Sequence, residues 1–224
     1  MTFRAALIDL DGTLLDTAPD LATAANATLL ELGLSALPPE RVRDFVGKGL
    51  AHLMHKALAE ALGRAPEAAL EERAREALSR HYAQFNGQAS RPFPGVVEGL
   101  AEMRSRGLRL ACVTNKLMAF TAPLLERTGL RASFDAVVTS DLAGARKPDP
   151  AVFLYACREL AVTPAEACVI GDSDNDGDAA RAAGCRFLLV PYGYREGRRV
   201  EDMQSDGVVS TLLEAVPLLA PQID

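Results

Sequence analysis

The sequence has no apolar run near the ~18 residues that a membrane-spanning helix needs. It has no surplus of positive charge: 24 Lys and Arg stand against 30 Asp and Glu, a net charge of -6, which argues against nucleic acid as a main partner. The N-terminus carries one early Arg and then acids, so it does not read as a signal peptide. No Cys-x-x-Cys pair occurs. Cys112, Cys157, Cys168 and Cys185 lie far apart among apolar neighbours, which suits buried, reduced thiols in a cytoplasmic protein and not a zinc site. There is no internal repeat and no low-complexity tail. What remains is an ordinary globular mixture, 49% hydrophobic and 24% charged over 224 residues, long enough for one large domain or a domain with an insert.

The chain is organised around Asp9-Leu-Asp-Gly-Thr-Leu-Leu-Asp16. The apolar run before it, residues 3–8, reads as a buried strand. Gly12 breaks that strand and leaves two carboxylates and a hydroxyl at its carboxyl end, the edge where open α/β sheets bind ligands. Asp9 and Asp11 are two apart and leave an extended backbone on the same side. Two unit charges ~5 Å apart repel by roughly 3 kcal/mol at an effective dielectric of ~20. Such a cluster needs a cation, a shared proton or full solvation.

After Asp16 the period becomes helical. Thr17 is a plausible cap, Pro19 suits a first turn, and Leu21, Ala25, Leu29 and Leu32 form a stripe ended by Gly33. A short helix is expected over residues 40–45. A second stripe runs from Leu50 to Leu62 and a third from Leu70 to Tyr82. Residues 17 to about 88 contain no convincing strand, too large a helical block for an ordinary crossover. From Arg91-Pro-Phe-Pro-Gly95 onward, strands and helices alternate. Strands are expected over 108–113, 136–139, 167–170 and 186–190, with a last one at 208–209. Asp149 is expected to cap a helix with Pro150 in its first turn, and Thr163-Pro-Ala-Glu166 has capping-box spacing. The fold class is therefore α/β: a Rossmann-like parallel sheet covered by helices, with an inserted all-helical cap subdomain. Residues 1–16 and 92–224 form the core, and 17–91 form the cap.

Four polar sites fall at the same expected sheet edge: Asp9 with Asp11, Thr114 with Asn115, Lys147, and Asp172 with Asp176. Thr114 could instead cap the next helix, and Lys147 could be a solvated charge. Asp172-x-Asp174-x-Asp176-Gly177 begins like a calcium loop, but the position of its bidentate Glu is Ala183. Together the acids make an oxygen-rich pocket suited to Mg²⁺. Thr114 and Lys147 offer a hydroxyl and an ammonium suited to phosphate oxygens. Phosphoryl transfer needs a held nucleophile, a metal and fixed positive charge.

These stretches resemble, in order, the four motifs of the haloacid dehalogenase superfamily: Asp9 to Asp16, Val113-Thr-Asn-Lys116, Lys147-Pro-Asp-Pro150, and Gly171-Asp-Ser-Asp-Asn-Asp176. The helical block sits where that family places its first type of cap. Within it the chain looks most like bacterial phosphoglycolate phosphatases. That likeness rests on Asp16-Thr-Ala-Pro-Asp20, Gly47-Lys-Gly49, Pro92-Phe-Pro-Gly-Val96, Ala182-Ala-Gly-Cys185 and Tyr192-Gly-Tyr194. One departure is Gly177, where an apolar residue is usual.

The resemblance implies an Mg²⁺-dependent hydrolase of a small phosphorylated metabolite. Asp9 would be the nucleophile, forming an aspartyl-phosphate, and Asp11 the general acid and then base. The metal would be held by an Asp9 oxygen, the Asp11 carbonyl and Asp172. Thr114, Asn115 and Lys147 would bind the phosphoryl group, and Asp176 would orient Lys147 or a metal-bound water. Asp11 argues against dehalogenases and phosphonatases of the family, which lack an acid there. A phosphosugar mutase and other sugar-phosphate phosphatases, one for N-acetylmuramate 6-phosphate among them, stay open. Lys48, between Gly47 and Gly49 in a cap loop, is a candidate cation for a substrate carboxylate. His52 and His55 read as ordinary helix residues, because no third metal ligand lies near. Arg195, Arg198 and Arg199 read as a solvated surface. Nothing decides between a monomer and a homodimer.

Overall fold

The computed structural model describes residues 3–194 and 197–220, so Arg195 lies outside the described residues. The chain divides into two compact units, Met1–Asp16 with Pro92–Asp224, and Thr17–Arg91.

The larger unit is built on six parallel strands: β1 (Ala5–Ile8), β2 (Arg109–Thr114), β3 (Ala136–Thr139), β4 (Ala167–Gly171), β5 (Arg186–Leu189) and β6 (Gly207–Val208). Their order is β3-β2-β1-β4-β5-β6. β1 pairs with both neighbours, Ala5 opposite Arg109 on one side and Ala167 on the other. Residues of period two part to opposite faces. Ala6, Ile8, Leu110, Cys112, Cys168 and Ile170 join one apolar cluster, with Leu100 and Met103 of helix Val96–Ser105 and Leu212 and Val216 of helix Leu212–Leu219. Ala5, Leu7, Ala111, Val113 and Val169 join the other, with Val152 and Phe153 of helix Ala151–Glu159 and Ala180 of helix Asp174–Ala183. Both faces are covered, which is why β1 and β4 are buried at every position and read as continuous apolar runs. The parallel α/β architecture expected from the sequence is thus observed.

The chain winds outward from β1 through β2 to β3, then returns to start β4 on β1's other side. The β1/β4 boundary is the switch point of a doubly wound sheet, where a crevice opens beyond the strand ends. Asp9 and Asp172 each follow one of these two strands directly.

The smaller unit contains α1 (Ala18–Glu31), α2 (Pro39–Arg43), α3 (Leu50–Leu62) and α4 (Ala68–Phe85). Leu21, Ala25 and Leu29 of α1, Leu53, Met54, Ala57 and Leu58 of α3, and Ala74, Leu78 and Tyr82 of α4 are buried, the stripes that helical period requires. Gly63 closes α3 in the left-handed conformation. Its short second helix lies a residue or two earlier than the sequence suggests. Thr17 precedes α1 but makes no side-chain capping bond. Asp20 has a stronger role. Its buried carboxylate accepts from the backbone N–H groups of Gly87, Ala89 and Ser90 and from the Ser90 hydroxyl. It ties the end of the unit to its beginning.

Two cap expectations in the larger unit are adjusted. The helix after Lys147 starts at Ala151 with Pro150 as its cap residue, while the Asp149 carboxylate accepts from Ala151 N–H at 2.9 Å. The Thr163/Glu166 capping box is present, on a 3₁₀ turn. Among the described residues no helix is long and apolar enough to cross a membrane.

Candidate active site

Asp9 leaves the end of β1 with its N–H bonded to the Ile170 carbonyl at 3.0 Å. Three residues later Gly12 turns the chain at φ +92°, and a Cβ there would lie 2.3 Å from Asp172 Oδ2. Glycine is required on both counts. The turn brings the Thr13 hydroxyl to donate to Asp172 Oδ1 at 2.8 Å. The other Asp172 oxygen accepts from Tyr194 N–H at 2.6 Å. Gly193 lets that segment approach: a Cβ on it would lie 2.3 Å from Asp172 Cβ and Oδ2 and 2.4 Å from the Gly12 carbonyl oxygen. The first motif and the Tyr192-Gly-Tyr194 stretch therefore close on Asp172 from two sides.

Asp176 is the third residue of helix Asp174–Ala183 and completes a capping box with Ser173. One carboxylate oxygen serves that box, accepting from the Ser173 hydroxyl at 2.5 Å, and the other accepts from Lys147 Nζ at 2.7 Å. Lys147 Nζ also donates to Asp9 at 2.5 Å and to the Val113 carbonyl at 3.1 Å. Asn115 fixes the backbone of this lysine. Its Oδ1 accepts from Lys147 N–H at 2.7 Å and its Nδ2 donates to the Lys147 carbonyl at 3.1 Å. The Asn115 carboxamide is thus committed to placing Lys147. Thr114 is buried at the end of β2. Its hydroxyl accepts from Lys116 N–H at 3.1 Å, whereas the following helix, Met118–Arg127, has Leu117 at its cap position.

The electrostatics are dominated by burial. Asp9 is pushed up to about 7, by burial first, with Lys147 opposing and Asp176 and Asp11 adding to the rise. Asp172 is raised well above the usual carboxylate range by burial, then by Asp9 and Asp176. Lys147 is raised: burial works against its charge, but Asp176 and Asp9 outweigh it. Asp9 and Asp176 share the Lys147 ammonium and Asp172 lies in the same buried cluster, an excess of negative charge in a low-dielectric site.

A family model described as haloacid dehalogenase-like hydrolase matches residues 6–190. The chain belongs to that family. Curated relatives include phosphoglycolate phosphatases of Nitrosospira multiformis, 47% identical over 98% of this chain and 96% of the relative, and of Thiobacillus denitrificans, 45% identical over 96% and 95%. A crystal structure described as a predicted phosphoglycolate phosphatase from Haemophilus somnus superposes with TM-score 0.91 at 27% identity, covering 97% of this chain and 98% of the other.

For a haloacid dehalogenase-like hydrolase the donor set fits a divalent metal. Asp9, Asp172 and Asp176 are buried and present ligand oxygens all within 4.8 Å of one another. Carboxylate oxygens suit hard cations, and a dication would offset the charge excess. Asp176 belongs to this carboxylate cluster and also holds Lys147. Gly177 has a packing reason: a Cβ there would lie 3.0 Å from the Phe187 ring.

Sequence reasoning missed Lys116. Its buried Nζ lies 2.5 Å from Asp11 Oδ1. A lysine two residues past a strand end reads as solvated, and the only signal was its place in the second motif. The Tyr194 hydroxyl donates to Asp16 at 2.5 Å, a partnership that the Tyr192-Gly-Tyr194 stretch does not announce. Lys48 is exposed in the smaller unit, between Gly47 at φ +130° and Gly49 at φ +90°. His55 pairs with Glu71. Arg199 pairs with Asp202 and Arg198 with Asp174 on the surface.

Proposed function

We propose that the protein is an Mg²⁺-dependent phosphatase acting in the cytoplasm on a small phosphate monoester, 2-phosphoglycolate, through a phosphoaspartyl enzyme. The observation that carries this is Asp9 itself. It is a buried carboxylate at the switch point of the sheet, bonded to Lys147 and grouped with Asp172 and Asp176. The activity named for the relatives supports the choice of substrate, and four free, buried cysteines suit a reducing compartment.

In this reading an Asp9 oxygen attacks phosphorus and the ester oxygen leaves with a proton from Asp11. Asp11 then takes a proton from water as the water oxygen attacks phosphorus, which frees Asp9 and releases inorganic phosphate. Lys147 neutralises charge on the phosphoryl oxygens and on Asp9. The Thr114 hydroxyl and the backbone at Asn115 bind the same oxygens, and the Asn115 side chain keeps Lys147 in place. A dication held by Asp9, Asp172 and the Asp11 carbonyl would supply further positive charge to the phosphoryl group. Asp176 orients Lys147, and residues 17–91 act as the cap.

The test is phosphate release from a panel of small monoesters with and without Mg²⁺, for wild type and Asp9→Asn. Wild type should turn over phosphoglycolate only with metal, and acid-quenched enzyme should carry phosphate on the peptide containing Asp9. An Asp9→Asn protein releasing phosphate near the wild-type rate would remove Asp9 as nucleophile.

A further inference from the structure

The proposed reaction uses one ammonium, Lys147, yet the larger unit buries a second beside the same strand end. The Lys116 side chain is 5% exposed and its Asp11 partner 18%. Lysine is rarely buried without a partner or a task. Lys147 is occupied by Asp9, Asp176 and the Val113 carbonyl. Lys116 is anchored differently: its backbone N–H bonds the Thr114 hydroxyl, and its ammonium bonds Asp11.

We infer that Lys116 is a specificity-determining residue that binds an anionic group of the substrate one carbon away from the ester oxygen, the carboxylate of a 2-phospho-hydroxy acid. The inference rests on the reading of Asp11 as the acid for the leaving oxygen. To deliver its proton, Asp11 must lie within about 3 Å of the ester oxygen. In phosphoglycolate that oxygen is followed by a single methylene and then the carboxylate. With bonds of about 1.5 Å, the carboxylate carbon is held roughly 2.5 Å from the ester oxygen. An ammonium 2.5 Å from Asp11 Oδ1 is then within reach of the substrate carboxylate. An ammonium has three donors on a flexible stem, so it can hold two carboxylates at once.

The charge balance points the same way. Asp9, Asp11, Asp172 and Asp176 converge on this end of the sheet. A substrate bringing a carboxylate as well as a phosphate would meet strong repulsion there without a second fixed cation. A neutral ester makes no such demand. Discrimination is strongest where a site supplies a charged partner that the wrong substrate leaves unpaired.

The experiment compares 2-phosphoglycolate with ethyl phosphate, which carries a methyl group in place of the carboxylate. Wild type and Lys116→Gln are assayed with Mg²⁺. Any loss of support for Asp11 lowers both activities alike and cancels in the ratio of the two kcat/KM values. That ratio should fall about 10–100-fold in Lys116→Gln, mainly through KM for phosphoglycolate. Lys116→Arg, which keeps the cation, should recover part of it. An unchanged ratio overturns the inference and leaves Lys116 a support for Asp11. If Lys116→Gln does not fold, Lys116→Arg carries the test: its displaced charge should raise KM more for phosphoglycolate than for ethyl phosphate, and an equal shift overturns the inference. Wild type inactive on every monoester would defeat the phosphatase reading itself.

Discussion

Lys147→Met in metal-free protein tests the electrostatics of the site most directly. The substitution keeps a long stem and removes the ammonium that touches both Asp9 and Asp176. The carboxylates left behind are 10% and 1% exposed, so water replaces little of the lost interaction. Removing one partner of a buried ion pair costs about 3–5 kcal/mol. For a chain of this size that is roughly 6–20 °C in melting temperature. The sign of the pH dependence follows from proton uptake. Asp9, already raised, is pushed further above its unfolded value when it loses its ammonium, so the folded variant binds more protons than its unfolded chain. Its deficit relative to wild type should therefore be smallest near pH 4 and grow toward pH 8. Adding Asp9→Asn removes one of the uncompensated charges, and the double variant should recover about 1.5–3 kcal/mol. Thermal and urea unfolding in chelator, as a double-mutant cycle, measure this coupling. A double variant no more stable than Lys147→Met would show that charge excess does not govern the site.

Gly193→Ala should cost about 1–3 kcal/mol by overpacking and should also lower turnover, because the added methyl displaces Asp172; wild-type stability and activity together would contradict the close approach. Mg²⁺ at about 100 times its dissociation constant should stabilise the protein by roughly 2.7 kcal/mol, and Asp172→Asn should abolish most of that shift in a thermal melt; an equal shift in the variant would remove Asp172 from the ligand set. Glu166 is held down to about 2 by the Thr163 backbone N–H, then by Arg4 and the Thr163 hydroxyl. Its contribution is present above its usual value of about 4.5 and lost as pH falls toward 2, so Glu166→Gln should be less stable than wild type at pH 6 and equal to it near pH 2; a gap that persists in acid would refute the assignment.

Local rules carried the architecture. The apolar runs at Ala5–Ile8 and Ala167–Gly171, with turns after each, announce buried parallel strands because both faces of such strands must be covered. Helix period and stop signals such as Gly33 placed the helices of the smaller unit within about three residues. Boundaries slipped where two caps competed, as at Asp149 and Pro150. Side-chain identity also singled out Asp9 and Asp172, each directly after a strand, and Lys147 in the loop before a helix.

The sequence by itself determined which groups stand at the sheet's carboxyl edge, because strand period and turn chemistry act over a few residues. Partnership was decided only in three dimensions. That Asn115 clamps the Lys147 backbone, that Asp176 shares Lys147 with Asp9, and that Lys116 reaches Asp11 are contacts across 29 to 138 positions of chain. The strand order β2-β1-β4 brings them about, and no local pattern encodes that order. Gly193 makes the same point: in the chain it is one glycine between two tyrosines, and only the fold shows Asp172 occupying the space where its side chain would be.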